Sequence, residues 1–146
     1  MKRHLIILLL FALSSVAPCL AHHMAVVVDK DNKLDDVSST HLAKIFRAEI
    51  RKWPDGRDVV LVFHTNFSGE RTTLERLMKI SDNELQSLIA SHKASIKMAA
   101  SDSEVLSLVE SNPGAIGLVE VNSINGSIKV VKVDGKLPTE AGYLPH

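Results

Sequence analysis

Cysteine is almost absent from this chain of 146 residues: Cys19 is the only one. It lies in a stretch expected to be removed, so the working protein is expected to have no disulfide, no thiolate nucleophile and no cysteine-ligated metal. An excess of charge is also missing, with 17 basic against 17 acidic residues. Removing Lys2 and Arg3 leaves 15 against 17, a formal charge of −2. No lysine-rich or arginine-rich block interrupts that balance, which argues against a nucleic-acid surface. Long apolar runs are lacking as well. Leu5 to Leu13 is too short to span a bilayer, and no later segment reaches about 18 apolar residues. Neither an internal repeat nor a low-complexity tract is present, so a single domain is expected.

What is present begins with a leader. Lys2, Arg3 and His4 precede the apolar run, and Cys19-Leu20-Ala21 places small residues at the two positions a signal peptidase reads. This pattern predicts a secretory signal peptide over 1–21, cut after Ala21, and a periplasmic or secreted protein. The alternative is a lipoprotein beginning at a lipidated Cys19, but Pro18 stands where a small, flexible residue is wanted. The remaining domain, 22–146 with a core over about 25–135, suffices to bury roughly two-thirds of its unfolded surface. His22 and His23 would sit at the new N-terminus. No distant cluster completes a metal site with them, so neither a metal nor another cofactor is expected.

Along that domain, Ala25 to Val28 and Val59 to Phe63 read as buried strands, and Ala115 to Val121 and Ile128 to Val133 as two more. Asp29 to Asp36 reads as a polar turn region. Ser38 or Ser39 can cap a helix carrying Leu42, Ile45 and Phe46. Trp53-Pro54-Asp55-Gly56 is a turn. Leu74, Leu77 and Met78 mark one face of a further helix. Ser81-Asp82-Asn83-Glu84 and Ser101-Asp102-Ser103-Glu104 are capping boxes opening two more, and Asn112-Pro113-Gly114 ends the second. Val60, Val62, Leu74, Leu77, Ile116 and Leu118 are expected core. Alternating strands and helices predict an α/β domain of three layers, a mixed sheet flanked by helices.

The stretch His64-Thr65-Asn66-Phe67-Ser68-Gly69-Glu70-Arg71-Thr72-Thr73 lies where a strand turns into a helix. Such a junction leaves backbone N–H groups without internal partners, and the helix dipole favours an anion there. Ser68, Gly69 and the N–H groups through Arg71 form a candidate oxyanion seat, with His64 and Thr72 beside it. Each residue has an ordinary reading too. Ser68 suits a plain helix cap, Gly69 a turn, and Arg71 a surface pair with Glu75. His64 suits a partly buried strand end, and Thr65 and Thr72 suit local hydrogen bonding. His64, Ser68 and Asp102 could in principle make a base and nucleophile, but no Gly-x-Ser-x-Gly elbow accompanies them, so no catalytic residue is assigned. Trp53 reads as a cover over the core edge rather than an interface anchor.

Three segments together resemble one known family. Leu42-Ala43-Lys44-Ile45-Phe46 followed by Lys52-Trp53-Pro54-Asp55-Gly56, the Ser68-Gly69 turn, and Asn112-Pro113-Gly114-Ala115-Ile116-Gly117-Leu118-Val119 are similar, in order, to motifs of the phosphate-binding periplasmic proteins of ABC transporters. The resemblance spans roughly residues 36 to 135. It implies the fold of one lobe of a type 2 periplasmic binding protein, whose full-length members close two lobes on the anion. It also implies a phosphate ligand and an ABC permease partner. Two positions depart from the pattern. His64 stands where the family has an arginine, which makes that charge pH-dependent. Glu70 stands where it has a threonine, and would repel an anion unless it points away.

The expectation is therefore a non-enzymatic, secreted module that binds phosphate or a similar oxyanion and serves ABC-transporter uptake, with an ABC permease, another periplasmic protein or a second copy as macromolecular partner. The other reading is an accessory or protein-interaction domain that keeps the lobe and has lost the ligand.

Overall fold

The computed structural model describes residues 23–65 and 68–145, Ser68 by its backbone. The expected leader and its cleavage site lie outside these residues. β-Branched residues dominate β1 (Met24–Asp29), which is buried along its whole length. Both of its faces are covered, which explains the continuous rather than alternating apolar pattern. Among the described residues it belongs to a six-stranded mixed sheet with β2 (Asp36–Val37), β3 (Val60–His64), β4 (Ile96–Ala99), β5 (Ala115–Glu120) and β6 (Ile128–Val133), in the order β2-β6-β1-β5-β3-β4. β1 runs antiparallel to β5 and β6, whereas β3 is parallel to both β4 and β5.

Helices cover both faces. Ser38 caps α1 (Ser39–Phe46) by accepting from the His41 N–H, and the helix buries Leu42, Ala43, Ile45 and Phe46. Phe46 stacks on Phe63 at 6.0 Å between ring centroids. α2 (Ser68–Met78) adds Leu74, Leu77 and Met78 to the same face, and α3 (Asp82–Ser91) adds Leu85. α4 (Asp102–Ser111) covers the other face with Val105, Leu106 and Val109, against Val27, Val62 and Val119. The result is the expected three-layer α/β domain. The box at Ser81 forms reciprocally with Glu84. At Ser101 the hydroxyl accepts from the Glu104 N–H, while Glu104 reaches one residue further back, to the Ala100 N–H.

Several expectations need correction. β2 falls partly in the region that reads as a polar turn, and β4 has no counterpart in the sequence reading, because both are short edge strands with little apolar signal. The strand from Ala115 stops at Glu120, and Val121 begins a 3₁₀ turn through Ser123. Val60 is only partly buried. Tyr143 and Leu144 lie in the core although they fall beyond residue 135. The Tyr143 hydroxyl donates to the Val131 carbonyl at 2.5 Å and accepts from the Val26 N–H at 3.0 Å, tying the C-terminal segment to the sheet centre. Trp53 is buried, with its indole N–H on the Gly114 carbonyl at 2.9 Å.

Candidate functional site

The parallel strands β3 and β4 reach the same end of the sheet at His64 and Ala99, and β5 reaches it at Glu120. From there the chain leaves β3 into α2 on one face and β4 into α4 on the other. That divergence is a topological switch point, the place where open α/β sheets leave a crevice for ligands. Two helix N-termini, at Ser68 and Asp102, open at this end. α2 has eleven residues, and the N–H groups of its first turn have no intrahelical acceptor. Ser68 and Gly69 are its first two helical residues. Ser68 thus stands inside the first turn rather than before it as a cap. Gly69 is partly exposed and Thr72 exposed.

Below this rim lies a polar cluster formed because β3 and β5 part company. Their pairing ends at Val62 and Gly117, whereas β3 stays paired with β4 as far as His64 and Ala99. The His64 N–H has a side-chain acceptor instead of one on β5: Glu70 Oε2, at 2.7 Å. Glu70 thereby points inward rather than at the rim. It is 1% exposed, and its Oε1 has no hydrogen-bond partner among the described residues. Burial pushes its carboxyl up from 4.5 to about 8. The His64 N–H opposes that rise, the Asp102 charge adds to it, and Arg71 opposes it.

The His64 imidazole faces the other way. Its Nε2 lies 2.6 Å from Asp102 Oδ1, and the side chain is only 5% exposed. Asp102 Oδ2 accepts from the Glu120 N–H at 3.0 Å and the Ser123 hydroxyl at 2.6 Å. One carboxylate at the start of α4 therefore clamps the ends of β3 and β5 and the turn after β5. Its place in the first turn also suits the helix dipole. Arg71 pairs with Asp82 of α3, Nε to Oδ1 at 3.0 Å, and not with Glu75. The i, i+4 reading fails because α3 packs beside α2 and offers a closer carboxylate. Thr65 uses both its N–H and its hydroxyl on the Ala99 carbonyl.

The sequence-predicted residues Ser68, Gly69, Arg71 and Thr72 thus share the first turn and a half of α2. His64 lies under them with its imidazole committed to Asp102. Ser123 and the Glu120 N–H carry no mark in the sequence that would single them out. Asp102 has a signal, as the acidic residue at the first position of a capped helix, but its partners lie 18 to 38 residues away.

Sheet order, helix placement and switch point define the α/β lobe of a periplasmic-binding-protein type. A family model described as a PBP superfamily domain matches residues 18–144, and the chain belongs to that family. Solved structures agree. A putative phosphate ABC transporter substrate-binding protein with bound phosphate from Clostridium perfringens superposes with a TM-score of 0.67 at 25% identity, over 80% of this chain and 47% of that one. An ABC-type phosphate transport receptor from Vibrio cholerae gives 0.65 at 21% identity, over 80% and 48%. PstS from Borrelia burgdorferi gives 0.65 at 19%, over 80% and 49%. The chain spans about half the length of these proteins.

Proposed function

We propose that this lobe binds phosphate or a similar small oxyanion at the start of α2 and performs no chemistry on it. One observation carries the reading: an eleven-residue helix opens at the switch point with a Ser-Gly first turn. Backbone N–H groups of Ser68, Gly69 and Glu70 supply the donors, and the helix dipole supplies the field. Arg71 and Thr72 flank them, Arg71 contributing positive charge at longer range while it holds Asp82. His64 acts from beneath as a positioning residue. Similarity to a phosphate-bound transporter component supports phosphate as the ligand class. In this reading the protein works outside the cytoplasm, delivers its anion to an ABC permease or another periplasmic protein, and pairs with a second lobe, a second copy included, to enclose the ligand. A lone lobe covers little of an anion, so affinity without that second lobe is modest. Calorimetric titration with phosphate and sulfate tests the proposal. Saturable heat with a raised melting temperature supports it, and silence in both sinks it.

A second reading has its own observation. The two side chains best placed to supply positive charge, His64 and Arg71, are both engaged with carboxylates. An accessory domain that keeps the fold without the ligand needs no more than this. The same phosphate titration separates the readings, since an accessory role needs no bound anion and shows neither heat nor a raised melting temperature.

A further inference from the structure

We infer that the oxyanion seat is gated by a proton on Glu70: the seat accepts an anion while that carboxyl is neutral and rejects it once the carboxyl ionises. The inference rests on the anion-seat reading and adds its regulation.

The geometry is unusual for a helix N-terminus. An acidic side chain in the first turn ordinarily stays in water and complements the dipole. Glu70 occupies the third position of α2, yet it is 1% exposed. Its Oε2 holds the His64 N–H, while Oε1 has no partner among the described residues. A buried ionised carboxylate with one bare oxygen is costly, whereas a neutral carboxyl is tolerated there. The surrounding charges lean the same way. Asp102, at the start of α4, is negative and clamped by three donors. Arg71, on Glu70's own helix, has its charge shared with Asp82 of α3. His64 of β3 offers Glu70 its backbone N–H and turns its imidazole to Asp102.

Consequences follow for the bound anion. Glu70 shares the first turn with the N–H groups of Ser68 and Gly69. Its ionised form would put a full negative charge beneath the same turn, opposing the helix dipole's attraction for the anion. Linkage then runs both ways: an anion in the seat makes Glu70 harder to ionise, so anion binding is accompanied by proton uptake. Burial raises the carboxyl to about 8, which places the gate in the mildly alkaline range. One pH unit above that point about one molecule in eleven keeps the proton, and apparent affinity drops about tenfold.

The experiment compares phosphate binding by the wild-type protein and Glu70→Gln, the neutral mimic, from about pH 6 to about pH 9. Phosphate changes its own charge over this range, so the informative quantity is the ratio of the two affinities, in which that titration cancels. The gate predicts a constant ratio below about pH 7 and about a tenfold relative loss for wild type near pH 9. Calorimetry in two buffers of different ionisation enthalpy near pH 8 should show net proton uptake by the wild type exceeding that of Glu70→Gln, or exceeding phosphate's own titration if the variant does not fold. Intact binding with a flat ratio and no extra proton uptake overturns the gate and leaves the seat standing. No binding by either protein even near pH 6 overturns the seat itself, and the gate with it.

Discussion

Replacing Asp102 by Ala should be the most damaging single change at the strand-end cluster. The carboxylate accepts from three separate parts of the chain: His64 Nε2 at 2.6 Å, the Glu120 N–H at 3.0 Å and the Ser123 hydroxyl at 2.6 Å. Hydrogen bonds to a charged group contribute about 1.5–3 kcal/mol each, and a buried donor left without an acceptor costs about 1–3 kcal/mol. The three cannot simply be added. Asp102 is 17% exposed, so water can replace part of what is lost, and Ser123 can turn toward solvent. His64, at 5% exposed, cannot. The expected loss is about 3–5 kcal/mol, a large share of the ~5–15 kcal/mol that holds a domain of this kind together. Trp53 provides the assay, because it is the only tryptophan, is buried, and sits at the opposite end of β5 beside Gly114. Urea unfolding followed by its fluorescence should show a lower midpoint at unchanged slope. A double-mutant cycle with His64→Ala should return a coupling of about 1 kcal/mol or more. A loss under about 1 kcal/mol for Asp102→Ala would refute the clamp and make Asp102 an ordinary first-turn residue.

Stability should also depend on pH through Glu70. Its carboxyl is raised from 4.5 to about 8, so the folded state holds a proton that the unfolded chain releases. That contribution is complete below about pH 4.5 and is lost as pH rises through about 8, up to about 5 kcal/mol. Urea midpoints at several pH values should fall across that window for wild type and stay flatter for Glu70→Gln. Gly114→Ala should cost about 3 kcal/mol or more by thermal denaturation. Residue 114 has φ +88, and an added Cβ would lie 2.2 Å from the Asp58 carbonyl oxygen. Tyr143→Phe should cost about 1–3 kcal/mol, because the buried Val26 N–H loses the hydroxyl it donates to and the Val131 carbonyl loses a donor. Hydrogen exchange at Val26 should quicken in that variant, and an unchanged rate would contradict the role given to the hydroxyl.

Much of the fold is legible in the sequence because its central strands are β-branched and buried on both faces. These runs do not alternate: Ala25 through Val28 is apolar throughout, as is Ala115 to Val119, and such runs bounded by Asp, Asn, Pro and Gly read as strands directly. Ser38, Ser81 and Ser101 announce their helices because capping is a local matter of three or four residues. β4 is not legible, since Ile96-Lys97-Met98-Ala99 owes its strand conformation to pairing with β3 and not to its own composition. Tyr143 is hidden for the same reason, because its role depends on Val26 and Val131 of other elements. At the candidate site the sequence marks the Ser68-Gly69 turn, and the family motifs place it. What it does not carry is direction. Glu70 reads as a charge beside the anion, but it turns inward to the His64 N–H. His64 reads as a replacement for a cation, but its ring turns to Asp102. Both orientations follow from the parting of β3 and β5 beyond Val62, a tertiary fact with no local signature.

The central claim is that the first turn of α2 holds a small oxyanion. Titration of inorganic phosphate into the isotopically labelled protein, followed through its backbone amide resonances near neutral pH, tests it most directly. The account predicts saturable shifts concentrated on the Ser68, Gly69 and Glu70 amides, fading with distance from the start of α2. An absence of shifts, or shifts confined to Arg76 and Lys79 at the far end of that helix, would contradict it.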